Sequence, residues 1–544
     1  MRTKKPYATM LALAVLSAPL WSGALPASAH EAQDPAGIAV ERLGTIHFPV
    51  SCNAAAQRAF DRAMALYHSF YWREVKKAFD TVLEADPSCA MAHWGHALAL
   101  IDNPFVWPPK GKSLSEGMAM IERALAVTPG SQRESDYIAA LESFYRNHER
   151  VDHRIRAEAY VRAMGDLAQR YPDDVEASVL YALALSATFD PADKTYARQL
   201  EAAAILEPLF ERYPEHPGVA HYLIHSYDYP AVAHLGLPAA QRYAQVAESA
   251  PHALHMPSHI FTRLGHWQDS IATNIASANA SADLRGRLHA WDYLTYAYLQ
   301  VAQDADAQWI VGEVAALREV RDENLGAAYG LAAIPMRAAL ERGRWEDAAR
   351  IELSPPEPDF AWQRFPNAEA VNAFGRGLGA ARNGDATGAR EQVERLGRLR
   401  QAMIEARQAY WADQALIQTA VIEAWVAHAE GRTEDALQRL RAAADHEDAT
   451  EKNVVTPGPL APARESLGEM LMALARPGDA LVEFEAVTVK EPNRFRALYG
   501  AARAAELSGD REKARAYYAT LGRVAANSAG DRPELATARA FLGH

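Results

Sequence analysis

The stretches PGVAHYLIHSYDYP (217–230), PHALHMPSHIFTRLGHW (251–267) and RLHAWDY (287–293) hold the pattern that decides the fold. His221, His255 and His289 stand 34 residues apart, and His225 and His259 keep the same interval. Pro217 and Pro251 repeat it too. A fixed period of this length marks a two-helix unit stacked on copies of itself. Within each copy the second histidine follows the first by four residues, which places both on one helix face. Stacking sets equivalent positions side by side on neighbouring helices. The sequence therefore predicts four histidines converging from two adjacent helices, with a fifth one repeat further on.

Working outward, the same plan recurs. QRAFDRAMALYHSFYWREVKKAFDTVLEADP (57–87) reads as a first helical hairpin, closed by Pro87, because proline cannot continue a helix. CAMAHWGHALAL (89–100), VEASVLYALALSA (175–187) and QLEAAAILEPLFERYP (199–214) read as further helices. AAIPMRAALERGRWEDAARI (332–351) repeats the hairpin, and turns are expected at Gly265, Gly343, Gly384, Gly431 and Gly509. ARESLGEMLMALARPGDALVEFEAVTVKEP (463–492) is the clearest unit, and TPGPLAP (456–462) just before it is expected to break the stack. Between 114 and 170 the helical period persists with poor repeat spacing.

These units resemble the tetratricopeptide repeat. Ala63, Leu66, Val75, Phe79, Val82 and Pro87 fill that repeat's small and aromatic packing positions, as do Gly468, Leu471, Ala480, Phe484, Val487 and Pro492. The resemblance covers most of the chain and implies an all-α tetratricopeptide superhelical solenoid of antiparallel helix pairs with a long concave groove. It implies that the first helix of each pair lines the groove. His221, His225, His255, His259 and His289 then face it, with His252, Asp228 and Tyr293, while Asp292 and Ser258 lie at its edge. The phrases DPSCAMAHWGHAL, AHYLIHSYD, HALHMPSHIFTRLG and TPGPLAPARE are also similar to a group of exported bacterial repeat proteins of unassigned role, which carries no activity over.

Composition sets the bounds. The chain has 544 residues, 49% of them apolar, too many for one ordinary core and fitting for a solenoid. Its formal net charge of −13 argues against nucleic acid as a partner. Arg2, Lys4 and Lys5, the apolar run 8–20 and Ala27-Ser28-Ala29 read as a cleavable signal peptide over 1–29. That run is too short to span a membrane comfortably, and no later one is long enough. The expected location is periplasmic or secreted. There Cys52 and Cys89, the two cysteines of the chain, are expected to pair. The organisation expected is an irregular segment 30–52, a solenoid 53–353 with the histidine groove, a linker-like stretch 354–370 rich in proline, and a second solenoid 371–544.

Converging imidazoles suit a borderline divalent metal: zinc or copper first, iron or nickel next. His221, His225, His255, His259 and His289 are the expected ligands. Asp228, Asp292 and Tyr293 complete the shell or orient the rings. The alternatives are a metal-free groove that binds a peptide or partner protein, and histidines inherited by duplication with packing roles only. His68, His93 and His96, the last two with Trp94 and Trp107, are read as structural. His30 would become the first residue after cleavage, where an N-terminal histidine binds copper through amine and ring given a second histidine; a flexible terminus is the plainer expectation. No nucleophile elbow, phosphate loop, dinucleotide fingerprint or His-Glu-x-x-His motif is present. The residues therefore name a site without naming a reaction.

Overall fold

Helix pairs form where the repeat spacing places them, because each pair buries its apolar faces only against its neighbours. The helix Ala54–His68 turns back into Trp72–Ala85 and is followed by Ala90–Leu100. Ala63, Leu66, Val75, Phe79 and Val82 are fully buried between them. At that contact a side chain on Gly95 would meet the Phe79 ring at 2.1 Å, so only glycine lets the helices approach this closely. The unit 463–492 repeats the device. Phe484 is wedged between Gly468 and Gly500, and Leu471, Ala480 and Val487 are buried around it. Burying one such aromatic ring contributes about 1.5–3 kcal/mol, and the stack repeats the gain along its length.

The protein is seen in a computed structural model that describes residues 41–106, 112–320, 323–356, 359–528, 530 and 532–543. Among the described residues there are α-helices, three short 3-10 turns and no strand, so the fold is all-α, with consecutive helices packed on one another along the chain. None of these helices is long and apolar enough to cross a membrane. The signal-peptide reading, His30 and Trp107 lie outside the described residues. Residues 42–544 form one compact unit. The glycines expected at turns all adopt left-handed backbone; Gly265 has φ +67° and abuts the Pro492 carbonyl.

Cys52 and Cys89 are joined by a disulfide with a Cα–Cα distance of 5.3 Å. It ties Cys52, two residues before the first helix, to Cys89, the residue before the third, clasping the first hairpin between them. Residues 41–52 carry no regular structure, as expected.

Three expectations are corrected. The stretch 354–370 is not a loose connector. Phe360, Trp362 and Phe365 are buried in the core and the next helix begins at Pro366, because three large rings offset the cost of ordering the prolines. The groove is also not an open channel near the histidines. The helix Ala54–His68 packs on Pro217–Tyr227, and the non-helical run 449–462 folds inward over Tyr293 and Asp228. The run holding TPGPLAP is non-helical, but the expected break in the stack does not follow, because the helices on either side, Thr433–Asp448 and Ala463–Ala473, still pack on each other.

Candidate metal centre

Three helices present the histidines. Pro217–Tyr227 carries His221 and His225, and Leu284–Gln300 carries His289 and Tyr293. The helix between them is broken into Pro251–His255 and Pro257–Leu264. Pro257 has no N–H to donate and its ring crowds the preceding turn, so the hydrogen-bond ladder is interrupted there. Met256 keeps right-handed helical backbone across the break (φ −53°, ψ −37°), so His255 and His259 stay one turn apart on one face.

The rings form two triads rather than one centre of four with a fifth beyond. In the first, the Nε2 atoms of His221 and His225 lie 3.1 Å apart and His252 is the third member. In the second, the Nε2 atoms of His255 and His259 lie 3.1 Å apart and His289 is the third member. Within each triad one ring nitrogen per residue lies within 4.8 Å of the others. Each triad is thus one helical His-x-x-x-His pair plus one histidine from further along the chain. His252, expected only to line the groove, completes the first triad. The triads are neighbours, with the His225 and His259 ring centroids 6.2 Å apart.

Hydrogen bonds at Nδ1 fix which nitrogen holds the proton. His255 Nδ1 lies 2.7 Å from Asn274 Oδ1, and the Asn274 amide is oriented by donating to the Ser270 carbonyl at 2.7 Å. His255 therefore donates from Nδ1. His259 Nδ1 donates to the Asp228 carboxylate at 2.8 Å. Both Nε2 atoms then carry lone pairs, and they point at each other. Two lone pairs at 3.1 Å repel unless a cation lies between them. Burial pushes the His255 imidazole well below its ordinary range, and it lowers His259 against the opposing pull of Asp228, so a shared proton is a poor solution. A metal ion is a good one. Two nitrogens each about 2.0–2.1 Å from an ion and 3.1 Å from each other subtend about 100° at it, within the range metal sites use.

His221 follows the same rule, donating from Nδ1 to the His68 carbonyl at 2.6 Å. His225 is free to hold its proton on Nε2 and donate to His221, so this pair is satisfied by neutral rings alone. Burial drives His221, His225, His252 and His289 well below the ordinary imidazole range as well. All six rings are therefore held in the neutral form a metal requires.

The remaining expected residues surround the rings without joining them. Asp228 is surrounded by His259, by Arg263 Nε at 2.9 Å and by Lys452 Nζ at 3.1 Å. Burial alone would raise its carboxyl, but Lys452, Arg263 and His259 together hold it well below the usual range. It orients His259 and is not available as a ligand. Lys452 is pulled down to about 8 by burial, with Asp228 opposing. Tyr293 donates to the Thr456 carbonyl at 3.1 Å, and its ring centroid lies 4.7 Å from that of His255. Ser258 sits 3.5 Å from His255 Nδ1 beside Asn274. Asp292 is corrected from ligand to structural partner. It turns away from the rings and is fully buried against Arg337, with Nε at 2.9 Å.

A further cluster, His68, Glu176 and His216, has similar spacing and different chemistry. Glu176 accepts from Nε2 of both histidines at 2.9 Å. Tyr222 donates to His68 Nδ1 at 2.8 Å, and the Val219 amide donates to His216 Nδ1. Every polar atom is matched without an ion, so His68 is structural, as expected. His96 pairs with Asp80 at 3.1 Å, and Trp94 donates to the Tyr137 carbonyl. Asn274, Lys452, Arg263 and Arg337 were not identified from sequence. Asn274 lies on the return helix, and Lys452 comes from 224 residues beyond Asp228.

A pocket of about 70 Å³, partly open to solvent, is lined on one side by Arg263 and Lys452. Tyr329, Tyr410, Trp411, Asn367 and Gln414 line it.

No family model matches the chain, and no curated protein matches it. Solved structures that match include yeast Tom70, at 11% identity and TM-score 0.28 over 90% of this chain and 95% of that one. The P58(IPK) TPR domain matches at 11% and 0.20 over 90% and 99%. The APC/C hetero-tetramer Cut9-Hcn1 matches at 11% and 0.29 over 90% of each chain. At such values the likeness adds nothing to the architecture read from the helices themselves.

Proposed function

We propose that this chain is an exported helical-repeat protein that binds a transition-metal ion through His255, His259 and His289, with zinc or copper favoured over iron or nickel. The observation that carries the reading is the opposition of two Nε2 lone pairs whose Nδ1 protons are committed elsewhere. Asp228 and Asn274 serve as the outer partners that fix ring orientation, as carboxylates and amides do around metal-bound imidazoles. Three nitrogen ligands leave a fourth position on a tetrahedral ion, the arrangement a hydrolytic or ion-transferring site needs. The Cys52–Cys89 disulfide supports an oxidising compartment, in line with the signal-peptide reading.

Metal analysis after reconstitution with zinc and with copper tests the reading. The wild-type protein should retain near-stoichiometric metal, and His255→Ala with His289→Ala should lose it from this triad. Equal emptiness of both preparations would end the proposal.

A second reading is favoured by the pocket beside Lys452. Aromatic walls and side-chain amides suit an extended peptide or a small polar ligand. Capture of a partner that survives loss of all the histidines but fails in Trp411→Ala would support it.

A further inference from the structure

We infer that the two triads together take a pair of copper(I) ions. This rests on the metal reading of the His255 triad, and it adds a second ion and a charge state.

The first triad is a built cup. His252 Nε2 is buried and has no hydrogen-bond partner, an arrangement that costs free energy unless something binds there. His221 has committed its Nδ1 proton to the His68 carbonyl, so its Nε2 offers a lone pair. His225 Nε2 stands 3.1 Å away and needs only the other tautomer to offer one too. The walls are aromatic. Phe105 stacks on His225 with ring centroids 4.0 Å apart, and Phe70 lies 4.4 Å from His221. Phe70 is the left-handed residue (φ +50°) that ends the helix Ala54–His68, and the turn lays its ring flat against His252 at 5.5 Å. The cup is thus a set of ring nitrogens walled by aromatic faces, with one buried nitrogen left unpaired.

Charge selects the ion. Neither triad contains a carboxylate. The carboxylate nearest to them, Asp228, is already opposed by Arg263 and Lys452. The donors are six neutral rings in a buried setting, so any positive charge entering is uncompensated. Coulomb repulsion scales with the product of the charges, so two dications repel four times as strongly as two monocations at the same spacing. The triads are close enough for this to matter, with ring centroids 6.2 Å apart for His225 and His259 and 6.1 Å for His252 and His255. Among ions that favour imidazole, copper is the one with a stable monovalent state, and it accepts three nitrogens without a fourth ligand.

The test is an anaerobic titration of the purified, metal-stripped chain with copper(I) against a chromogenic copper(I) chelator. The wild type should withdraw two ions per chain. His252→Ala should withdraw one, and so should His289→Ala, each losing the ion of its own triad. Both residues are part-exposed, so truncation should leave the fold intact, and circular dichroism checks this. X-ray absorption at the copper edge should show monovalent ions with nitrogen ligands. One ion per wild-type chain, unaffected by His252→Ala, would overturn the second site and leave the His255 reading standing. Two zinc ions bound in preference to copper(I) would overturn the charge argument. No ion of either kind would remove both readings.

Discussion

His255 and His259 face each other through Nε2 at 3.1 Å while each donates its only ring proton from Nδ1, to Asn274 and to Asp228. Their outer partners thus decide what the inner atoms can do. A histidine held this way cannot relieve the repulsion by switching tautomer without abandoning a buried acceptor, which costs about 1–3 kcal/mol. The contrast with His68 and His216, whose Nε2 atoms both donate to Glu176, shows that spacing alone does not make a ligand set.

Replacing Asn274 tests that control. Asn274→Ala frees His255 to move its proton to Nε2 and donate to His259. Metal affinity at this triad should fall about 10- to 100-fold while the number of ions at saturation stays the same. Competition with a chelator of known strength measures it.

Asp228 and Asp292 should separate cleanly. Each is a buried carboxylate paired with arginine, so alanine at either should cost about 3–5 kcal/mol in denaturant unfolding by stranding a buried cation. Asp228→Ala should also weaken metal binding, because His259 loses its acceptor. Asp292→Ala should leave binding unchanged in the folded fraction. Loss of the ion in Asp292→Ala protein that is still folded would restore Asp292 as a ligand.

Removing the disulfide should cost stability and spare the site. The bond spans 37 residues, for which chain entropy gives about 4 kcal/mol. The double variant Cys52→Ala, Cys89→Ala should therefore unfold at lower denaturant with its metal content unchanged, since neither cysteine touches a histidine triad.

Acid should destabilise the metal-stripped protein early. The unfolded chain binds protons on these histidines near pH 6.5, whereas in the folded chain burial lowers His221, His225, His252, His255, His259 and His289 below that value. Between the two ranges the unfolded state holds more protons, so stability is intact above about pH 6.5 and declines as pH falls beneath it. Each histidine contributes up to about 1.4 kcal/mol per pH unit in that window. Thermal melts from pH 7.5 to 5 should show the decline, and bound metal should shift its onset to lower pH. A flat profile in the stripped protein would contradict the buried, neutral state of the rings.

The parts of this molecule that were legible in its sequence are those set by local period. The 34-residue interval located the histidine helices, and Gly265 marked its turn because a left-handed residue after a helix selects glycine. Phe79 and Phe484 were legible as packing residues for the same reason. The grouping of the rings was not. A four-residue spacing says that His255 and His259 share a face but not that His252, a turn earlier, reaches the preceding pair. Asp292 was misplaced by one residue's rotation. Successive helical positions differ by about 100°, so Asp292 and Tyr293 do not face the same pocket. Lys452 and Thr456 were beyond reach, since no local pattern reports that a proline-rich run 160 or more residues away will fold back onto Tyr293 and Asp228.

That return of the chain has a consequence for how the molecule matures. Asp228 is not fully matched until Lys452 arrives, and Tyr293 gains the Val454 and Thr456 carbonyls only with the same run, so the nascent histidine helices emerge as an unfinished cage. A protein clipped before residue 449 would keep every ligand and lose the roof. Ion retention would then report whether the whole polypeptide had been completed and closed.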